Sequence, residues 1–591
     1  MNIDQRLSSL RQQMDHFGID AYILPSGDPH QSEYPASHWK SREWISGFTG
    51  SAGSAVITLS HAGLWTDSRY FLQAEEELSS SSFELHKMLN QFQPGYITWL
   101  SENLAAGSKV AIDGALYSLA QRKQFEKILS EKNIELVVTQ DFIGSVWEDR
   151  PAIPVDKIFE HDVSFAGKSR ETKLTEIRHE MRELGASKHL VTTLDDIAWM
   201  YNLRGYDVEY NPVFVAYTVI SEDETLLFIN EAKVPEDIRM RLEKDKVYLR
   251  PYESIIPYLN TLGQNDRVLI NEGTTNIELF NALKHAEVIS GPLISRHLKA
   301  VKNETELDHF RQVMVKDGVA LTHAFRWLEN TVKERAVSEF EFSNKLAECR
   351  SQQAHYYGES FGAIIGYKGN GAIIHYRPDK EKCAMIHDEG ILLSDSGGQY
   401  LDGTTDITRT ISFSEPTAEE KNAYTRVLKG HISLSMAVFP EGTTGGQLDM
   451  LARKDLWQDG LNFLHGTGHG VGFFMNVHEP PQGFAPGGSM RARTKHVPGM
   501  VTTNEPGYYE ENKFGIRIEN LLVAKKSGFD GFLDFETITL FPIDTSLIDQ
   551  PMLTRGELEW LNSYHNMVYE KLSPHLDEEH KSWLKNKCAA L

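Results

Sequence analysis

Two stretches of this 591-residue chain follow the same order of apolar and polar segments, and that repeat constrains the fold most. Each has an apolar strand-like run and a helix-like segment ending in Trp-x5-Gly (Trp44–Gly50 and Trp199–Gly205), followed by strand, polar turn and strand. Self-similarity of this kind indicates a duplicated structural unit. We therefore expect two α/β domains of one kind, although unrelated α/β domains also share strand–turn–strand segments.

A different pattern begins near residue 300. Asn303 is followed three residues later by Glu306, as in a helix capping box, and apolar residues then fall on one helical face. These residues are Leu307, Phe310, Val313, Met314 and Leu321. Strand-like runs follow, namely GAIIGY, GAIIHY, GILLSDSG, DITRTISF and GIRIENLLVA. Helices among locally paired strands favour an α+β domain, and the run after Thr554 predicts a closing helix with Trp560 and Tyr564 on one face.

Composition excludes several classes of protein. The formal charge of −23 argues against a nucleic-acid partner, because a polyanion needs clustered Lys and Arg. Three distant cysteines, Cys349, Cys383 and Cys588, do not form a disulfide framework. The N-terminus predicts an amphipathic helix rather than a signal peptide, and no run of about 18 apolar residues predicts a membrane span. We expect a cytoplasmic protein without a membrane partner.

Carboxylates cluster in the segment SDSGGQYLDGTTDITRT, which contains Asp395, Asp402 and Asp406. Asp395 and Asp406 lie in two strand-like runs joined by a Gly-rich turn, so an antiparallel pair brings them to one place. Two carboxylates aimed at one point repel unless a proton or a cation lies between them. A divalent cation is the simplest explanation.

Three further segments add candidate ligands. LHGTGHGVGFFMNVHEPP holds His465, His469 and His478 among four glycines, and neutral imidazole is a common metal ligand. Glu505 lies at a predicted strand end before Pro-Gly, and Glu519 lies inside the apolar run GIRIENLLVA. Any one of these residues alone is more typical of a turn, an exposed loop or a solvated strand face. Together, four carboxylates and one histidine form an oxygen-rich set for two hard divalent ions such as manganese, cobalt or iron.

In this order, the motifs DSGGQYLDGTTDITRT, HGTGHGVG, NVHE, NEPGYY and GIRIEN resemble those of the methionine aminopeptidase, prolidase and aminopeptidase P superfamily. The segments AYILPSGDPHQSEY, SGFTGSAGSAVIT and WTDSRYFLQA resemble the long cytosolic Xaa-Pro aminopeptidases. The resemblance implies two creatinase-like α/β domains, a pita-bread catalytic domain and a helical C-terminal extension. Their expected ranges are 1–155, 156–302, 303–545 and 546–591.

Carried over by position, the resemblance implies that Asp395, Asp406, His469, Glu505 and Glu519 bind two divalent ions, with manganese expected. Asp406 and Glu519 would bridge the ions. His375, His478 and Glu505 correspond to catalytic residues. The implied substrate-binding residues are Arg69, His375, His465, His478 and Arg517. In this sequence Pro480-Pro481 follows His478-Glu479 where the family usually has Gly-Pro, which stiffens that turn without removing a ligand.

The implied reaction is hydrolysis of the N-terminal Xaa-Pro peptide bond by a hydroxide that bridges the two metal ions. Glu505 would take the proton from the water and pass it to the leaving nitrogen. Relatives also imply a homodimer. Prolidase, which prefers dipeptides, shares the five ligands, whereas methionine aminopeptidase normally lacks the duplicated region. A non-catalytic pita-bread binding module or a creatinase-like amidinohydrolase would not be expected to retain the whole ligand set.

Overall fold

The computed structural model describes residues 1–89 and 94–591. These residues form two compact units. The first comprises Met1–Val163 and Lys168–Arg296, and the second comprises Ser164–Gly167 and His297–Leu591. Within the described ranges, no helix is both long and apolar enough to cross a membrane.

The first unit contains two six-stranded sheets with the same topology. The strands of the first sheet, in spatial order, are Glu84–Met88, Ala62–Asp67, Ser54–Thr58, Ala21–Pro25, Lys109–Asp113 and Glu135–Thr139. Those of the second are Val247–Arg250, Thr225–Ile229, Ala216–Ser221, Lys188–Val191, Arg267–Ile270 and Glu287–Ser290. In both sheets the three central strands pair antiparallel and the outer strands join in parallel. Equal strand order and equal pairing confirm the predicted duplication.

Helices cover these sheets. They span Ile3–His16, Ser41–Ser46, Phe71–Leu78, Gly95–Asn103, Leu119–Ser130, Arg170–Glu183, Leu194–Tyr201, Glu236–Lys244, Ile255–Leu259 and Ile277–Ala282. Two short helices, Val163–Ala166 and Ile294–Ala300, span sequence boundaries between the two units. The predicted N-terminal helix is present, with Leu7, Leu10 and Met14 buried, while Phe17 is its exposed C-cap.

The two halves of the first unit meet at equivalent helix starts. Ser118 and Asn276 are the N-caps of Leu119–Ser130 and Ile277–Ala282, which follow equivalent strands. The Leu119 N–H donates to Thr275 O (3.0 Å), and the Ile277 N–H donates to Tyr117 O (3.0 Å). This reciprocal contact satisfies helix-start donors that would otherwise lack partners.

The second unit combines seven helices with short, mostly antiparallel strands. Its helices, within the described residues, are Glu304–Thr331, Glu339–Ser351, Ala418–Ser435, Gly445–Trp457, Met490–Arg493, Arg555–Leu572 and Glu578–Lys587. Its largest sheet contains Phe439–Pro440, Phe532–Thr537, Asn520–Lys526, Val501–Asn504, Gly468–Gly470 and Glu479–Phe484. A three-stranded sheet contains Ile364–Tyr367, Ile391–Ser396 and Ile407–Ser412. The α+β prediction is confirmed.

In the part of the chain that the structure describes, the second unit contains the predicted helices but lacks two of the predicted strands. The long helix begins with the predicted Asn303–Glu306 capping box, and its five predicted apolar residues are buried. In the C-terminal helix Trp560 stacks on Tyr564, with ring centroids 5.3 Å apart. Two strand predictions were wrong. GAIIHY continues from the 3-10 helix Lys368–Ala372 without forming a strand, and the run around Glu519 breaks between Phe514–Arg517 and Asn520–Lys526.

Candidate metal centre

Strand register in the second unit brings the predicted ligands together. Asp395 pairs with Thr408 across the antiparallel strands Ile391–Ser396 and Ile407–Ser412, and Asp406 directly precedes the second strand. Asn504 pairs with Asn520, so Glu505 and Glu519 lie at the same end of their strand pair. The strand break at Glu519 therefore turns this carboxylate out of the ladder and toward the other acids.

His469 connects these carboxylates. It lies within the strand Gly468–Gly470, and its Nε2 is 3.4 Å from Asp406 Oδ2 and 3.4 Å from Glu505 Oε1. Its Nδ1 is 3.0 Å from the Gly470 carbonyl, which can only accept, so Nδ1 carries the proton. The Nε2 lone pair consequently faces the acids, as in a metal-ligating histidine whose other nitrogen is held by a backbone carbonyl.

The remaining ligand positions are held by neighbouring side chains, and all but the partly exposed Glu505 are buried. Donor atoms of Asp406, His469 and Glu519 all lie within 4.8 Å of one another. Glu519 Oε2 accepts from Thr408 Oγ1 (2.8 Å), and Glu505 Oε1 accepts from Thr503 Oγ1 (3.1 Å). One oxygen of Asp395, Oδ1, is buried and has no hydrogen-bond partner within the described residues.

Burial and mutual repulsion raise the pKa values of three carboxyl groups at the site, so a nearby positive charge would stabilise their ionised forms. Burial, followed by the neighbouring Glu519, Asp395 and Glu505 carboxylates, raises the pKa of Asp406 well above its usual range. Burial, with Glu505 and Asp395, does the same to the pKa of Glu519. Burial raises the pKa of Glu505 to about 7, although Arg517 opposes the rise. Four carboxylates, three of them buried, one imidazole with an inward lone pair and a carboxylate oxygen without a hydrogen-bond partner fit two divalent cations.

Arg517 donates hydrogen bonds to three side chains at the proposed metal-binding site. Its Nη2 donates to Asp395 Oδ2 (2.6 Å), its Nη1 donates to Tyr509 Oη (2.7 Å), and its Nε donates to Thr408 Oγ1 (3.1 Å). Tyr509 Oη is also 2.9 Å from His465 Nε2. Because His465 Nδ1 lies 2.7 Å from the Gly466 carbonyl, Nδ1 carries the proton and Nε2 accepts from Tyr509.

The two predicted catalytic histidines lie beside different residues of the site. The half-buried His478 packs edge-on against His469, with ring centroids 4.3 Å apart. The half-buried His375 follows Ile374, whose carbonyl oxygen lies 3.5 Å from Arg517 Nη2. Arg69 belongs to the first unit, where its guanidinium forms a fork on Asp67 with two 2.8 Å contacts. Its role at the peptide stays a prediction.

Asp402, the third carboxylate of the first motif, serves another purpose. Its Oδ2 accepts from Lys316 Nζ (2.5 Å), which ties the Gly-rich turn to the long helix. Asp402 is thus separate from the metal-binding set and provides an internal comparison for it.

Several supporting residues were missed by sequence reasoning. Buried Arg409 donates to the Glu519 carbonyl (2.6 Å) and to Asn520 Oδ1 (2.8 Å), which fixes the backbone at the strand break. Arg453 donates to the His465 carbonyl (2.8 Å) and pairs with Asp449, which accepts from Thr467 Oγ1 (2.6 Å). An arginine between two threonines in DITRTISF was a usable signal for Arg409. The sequence of the helix that carries Arg453 contains no comparable signal.

Comparison with known proteins agrees with this geometry over the whole chain. The Creatinase/Prolidase N-terminal domain matches residues 6–145 and again 149–306. Metallopeptidase family M24 matches residues 308–526, and the C-terminal region of peptidase M24 matches residues 531–591. A probable Xaa-Pro aminopeptidase P of Laccaria bicolor is 42% identical over 100% of this chain and 94% of its own length. The chain belongs to the aminopeptidase P family.

Two further relatives also match this chain over almost its whole length. Aminopeptidase P2 of Arabidopsis thaliana is 41% identical, covering 99% of this chain and 88% of its own length. The crystal structure of X-prolyl aminopeptidase from Caenorhabditis elegans, described as a cytosolic enzyme with a di-nuclear active site, matches with a TM-score of 0.94. It is 32% identical and covers 100% of both chains. This aminopeptidase P family member thus has two creatinase-type domains, an M24 domain and a C-terminal region.

Proposed function

We propose that this protein removes the N-terminal residue from peptides whose second residue is proline, using two divalent metal ions. The observation that carries the proposal is the intact ligand set in a chain of the aminopeptidase P family: three buried carboxylates and the partly exposed Glu505 surround an imidazole whose lone pair faces them. The proposed ligands are Asp395, Asp406, His469, Glu505 and Glu519. We keep 1–155, 156–302, 303–545 and 546–591 as the proposed domain ranges.

Within this set, Asp406 and Glu519 are proposed to bridge the two ions. Asp395 would complete the ligand set of one ion, and His469 with Glu505 would complete that of the other. When bound, such ions polarise the scissile carbonyl and make water a strong nucleophile near neutral pH. Arg517 supports this arrangement by holding Asp395 from outside the set.

The chain's own residues would handle the proton and the substrate. Glu505 takes a proton from the attacking water and delivers it to the leaving proline nitrogen, which carries no hydrogen in the peptide. His375 and His478 donate hydrogen bonds to the developing oxyanion or to the peptide backbone. His465, held by Tyr509, lines the substrate pocket, and Arg69 contacts the peptide.

We further propose that the ions are manganese and that the protein is a cytoplasmic homodimer. A ligand set dominated by carboxylates supports a hard dication. The C. elegans structure of a cytosolic enzyme supports the location, and the family resemblance supports the dimer. The solution mass measured by light scattering would test the dimer directly.

The decisive experiment measures amino-acid release by metal-stripped protein with and without added manganese, zinc or cobalt. The substrates are Arg-Pro-Pro, Arg-Ala-Ala and the dipeptide Arg-Pro. We expect manganese-dependent release of arginine from Arg-Pro-Pro and none from Arg-Ala-Ala. Cleavage of Arg-Pro alone would assign the protein to the prolidases. A folded protein that cleaves nothing with any of the three metals would indicate a binding module.

The role of Glu505 is tested separately with Glu505→Gln, which keeps the side-chain size but removes the base. We expect turnover to fall at least about 100-fold, the lower end of a general acid–base contribution. Glu510→Gln is the matched control, because Glu510 lies in the neighbouring hairpin and accepts from Tyr508. Activity of Glu505→Gln near that of the control would overturn the assigned role.

A further inference from the structure

A second group of metal-binding side chains lies in the first unit, on the edge of its first sheet. Donor atoms of His61, Glu84 and His86 all lie within 4.8 Å of one another. Glu84 and His86 are two residues apart on the edge strand Glu84–Met88, so both side chains point to the same face of the sheet. His61 ends the turn before the neighbouring strand Ala62–Asp67. None of these residues belongs to the catalytic set, which lies in the other unit.

The two imidazoles have the spacing of zinc ligands. The Nε2 atoms of His61 and His86 are 3.3 Å apart. Each of the three side chains offers one donor atom to the cluster, and these atoms lie within 4.8 Å of one another. Tetrahedral zinc with bonds of about 2.0–2.1 Å separates its donors by about 3.4 Å. In the alternative arrangement, one imidazole simply donates a hydrogen bond to the other.

Aromatic rings hold both histidines in place. His86 stacks on Trp65 with centroids 3.9 Å apart and planes 6° apart, and His61 lies against Trp99 at 4.7 Å. Trp65 also pairs with His86 across the parallel strands. Ligands ordered before binding lose less conformational freedom when the ion arrives, which favours affinity.

The charge state of the cluster suits a cation. Burial lowers the pKa of His61 and of His86 from the usual value, although Glu84 opposes both shifts. Neutral imidazoles can therefore offer lone pairs at neutral pH. Glu84, with 68% of its side chain exposed, supplies negative charge that partly offsets the nearby Arg11.

We propose that His61, Glu84 and His86 bind one zinc ion that fastens the edge strand Glu84–Met88 to the turn at His61. Two imidazoles and one carboxylate prefer zinc over manganese, following the general order of divalent affinities. Three protein ligands would leave the fourth position of a four-coordinate zinc to water, which can reach this incompletely buried cluster. The site is independent of the proposed peptidase activity.

The test counts zinc in the full-length, manganese-loaded protein after incubation with zinc and gel filtration. Wild type is compared with His61→Ala, His86→Ala and Glu84→Gln. His285→Ala is the matched control, because His285 is an exposed histidine outside the cluster. Exchange of zinc into the catalytic site contributes equally to all five proteins, so the difference between them reports the new site.

We expect wild type and His285→Ala to retain one more zinc per chain than His61→Ala or His86→Ala. Zinc should also raise the thermal unfolding midpoint of wild type more than that of His86→Ala. Glu84→Gln changes an exposed side chain and so preserves the fold. Its zinc Kd should rise at least about 10-fold, since even outer partners of metal ligands contribute 10–100-fold.

Equal zinc content in all five proteins would overturn the proposal and leave a hydrogen-bonded histidine pair. Zinc binding by Glu84→Gln as tight as that of wild type would also overturn the three-ligand site. Activity toward Arg-Pro-Pro should be the same in His86→Ala and wild type, which separates this site from the catalytic one.

Discussion

Arg517 makes three side-chain contacts around the ligand set, and no other type of side chain could make them all. Asp395, Tyr509 and Thr408 each accept from a different nitrogen of its planar fork. In Arg517→Lys the charge remains, but one ammonium group cannot reach all three acceptors. We expect manganese affinity to fall about 10–100-fold, as for other outer-shell partners of metal ligands.

Manganese titration followed by peptide hydrolysis would measure that loss. Arg311→Lys is the control, since Arg311 forms a similar fork on Glu536 with two 2.9 Å contacts on a more exposed surface. If both lysine variants bound manganese like wild type, Arg517 would be a structural residue only.

Tyr509 links the arginine to the substrate side of the site. Its hydroxyl accepts from Arg517 and faces His465 Nε2. Tyr509→Phe leaves two polar groups in a buried place without this partner, which costs about 1–3 kcal/mol. We expect kcat/KM for Arg-Pro-Pro to fall about 10-fold or more, the lower end of the loss caused by removing an outer partner of a metal site.

Tyr508→Phe is the neighbouring control, because the Tyr508 hydroxyl donates to Glu510 in the half-buried hairpin. Steady-state kinetics of the two variants should differ. Equal kinetics would mean that His465 does not depend on Tyr509 for its orientation.

At the scale of elements, the glycines around His469 allow neighbouring strands to pack closely. A Cβ on Gly468 would lie 1.9 Å from the Thr503 carbonyl oxygen, and one on Gly470 would lie 2.3 Å from the Glu479 carbonyl oxygen. Adjacent backbone, rather than a ligand, therefore requires glycine here. Close strand packing sets the position of His469.

Gly468→Ala should consequently push apart the strands that carry His469 and Glu505. We expect a loss of both manganese binding and peptidase activity, with a fall in the thermal unfolding midpoint. Gly487→Ala provides the control, because a Cβ there meets nothing within 4 Å. Calorimetry and activity assays would compare the two. A Gly468→Ala enzyme as active as Gly487→Ala would contradict this account of the strand packing.

Local sequence signals predicted elements well wherever the element was stabilised locally. The capping box at Asn303 and the apolar face of the long helix are examples, since both depend on residues within a few turns. The break at Glu519 could not be predicted in this way. It depends on Arg409 and Thr408, which are over 100 positions away along the chain and reach Glu519 only in the folded unit.

At the scale of the whole molecule, the duplication could be predicted because both copies retain the same order of strands, helix and turn. The reciprocal contact of the equivalent helix starts at Ser118 and Asn276 could not, because neither cap differs in sequence from an ordinary one. The five ligand positions could be proposed from the family motifs. The support that Tyr509 and Thr503 give to this site appeared only in three dimensions.

The ligand set also makes a prediction about global stability. Four clustered carboxyl groups, three of them buried, oppose one another's ionisation in the metal-free protein, and bound cations remove this repulsion. At a concentration 100 times its Kd, each manganese ion should raise the free energy of unfolding of the unit it binds by about 2.7 kcal/mol. Chelation should therefore lower the thermal unfolding midpoint, and manganese should restore it.

Asp406→Asn should have opposite effects in the two states. Without metal, the variant lacks a carboxyl group whose ionisation burial and the neighbouring carboxylates oppose, so it should unfold at or above the midpoint of metal-free wild type. With manganese, it lacks a proposed bridging ligand, so its midpoint should rise far less. Asp402→Asn is the control: it weakens the Lys316 contact, so its midpoint should fall in both states while the full manganese shift remains. If Asp406→Asn kept the full shift, Asp406 would not bridge the ions, because a bridging ligand contributes to the binding of both.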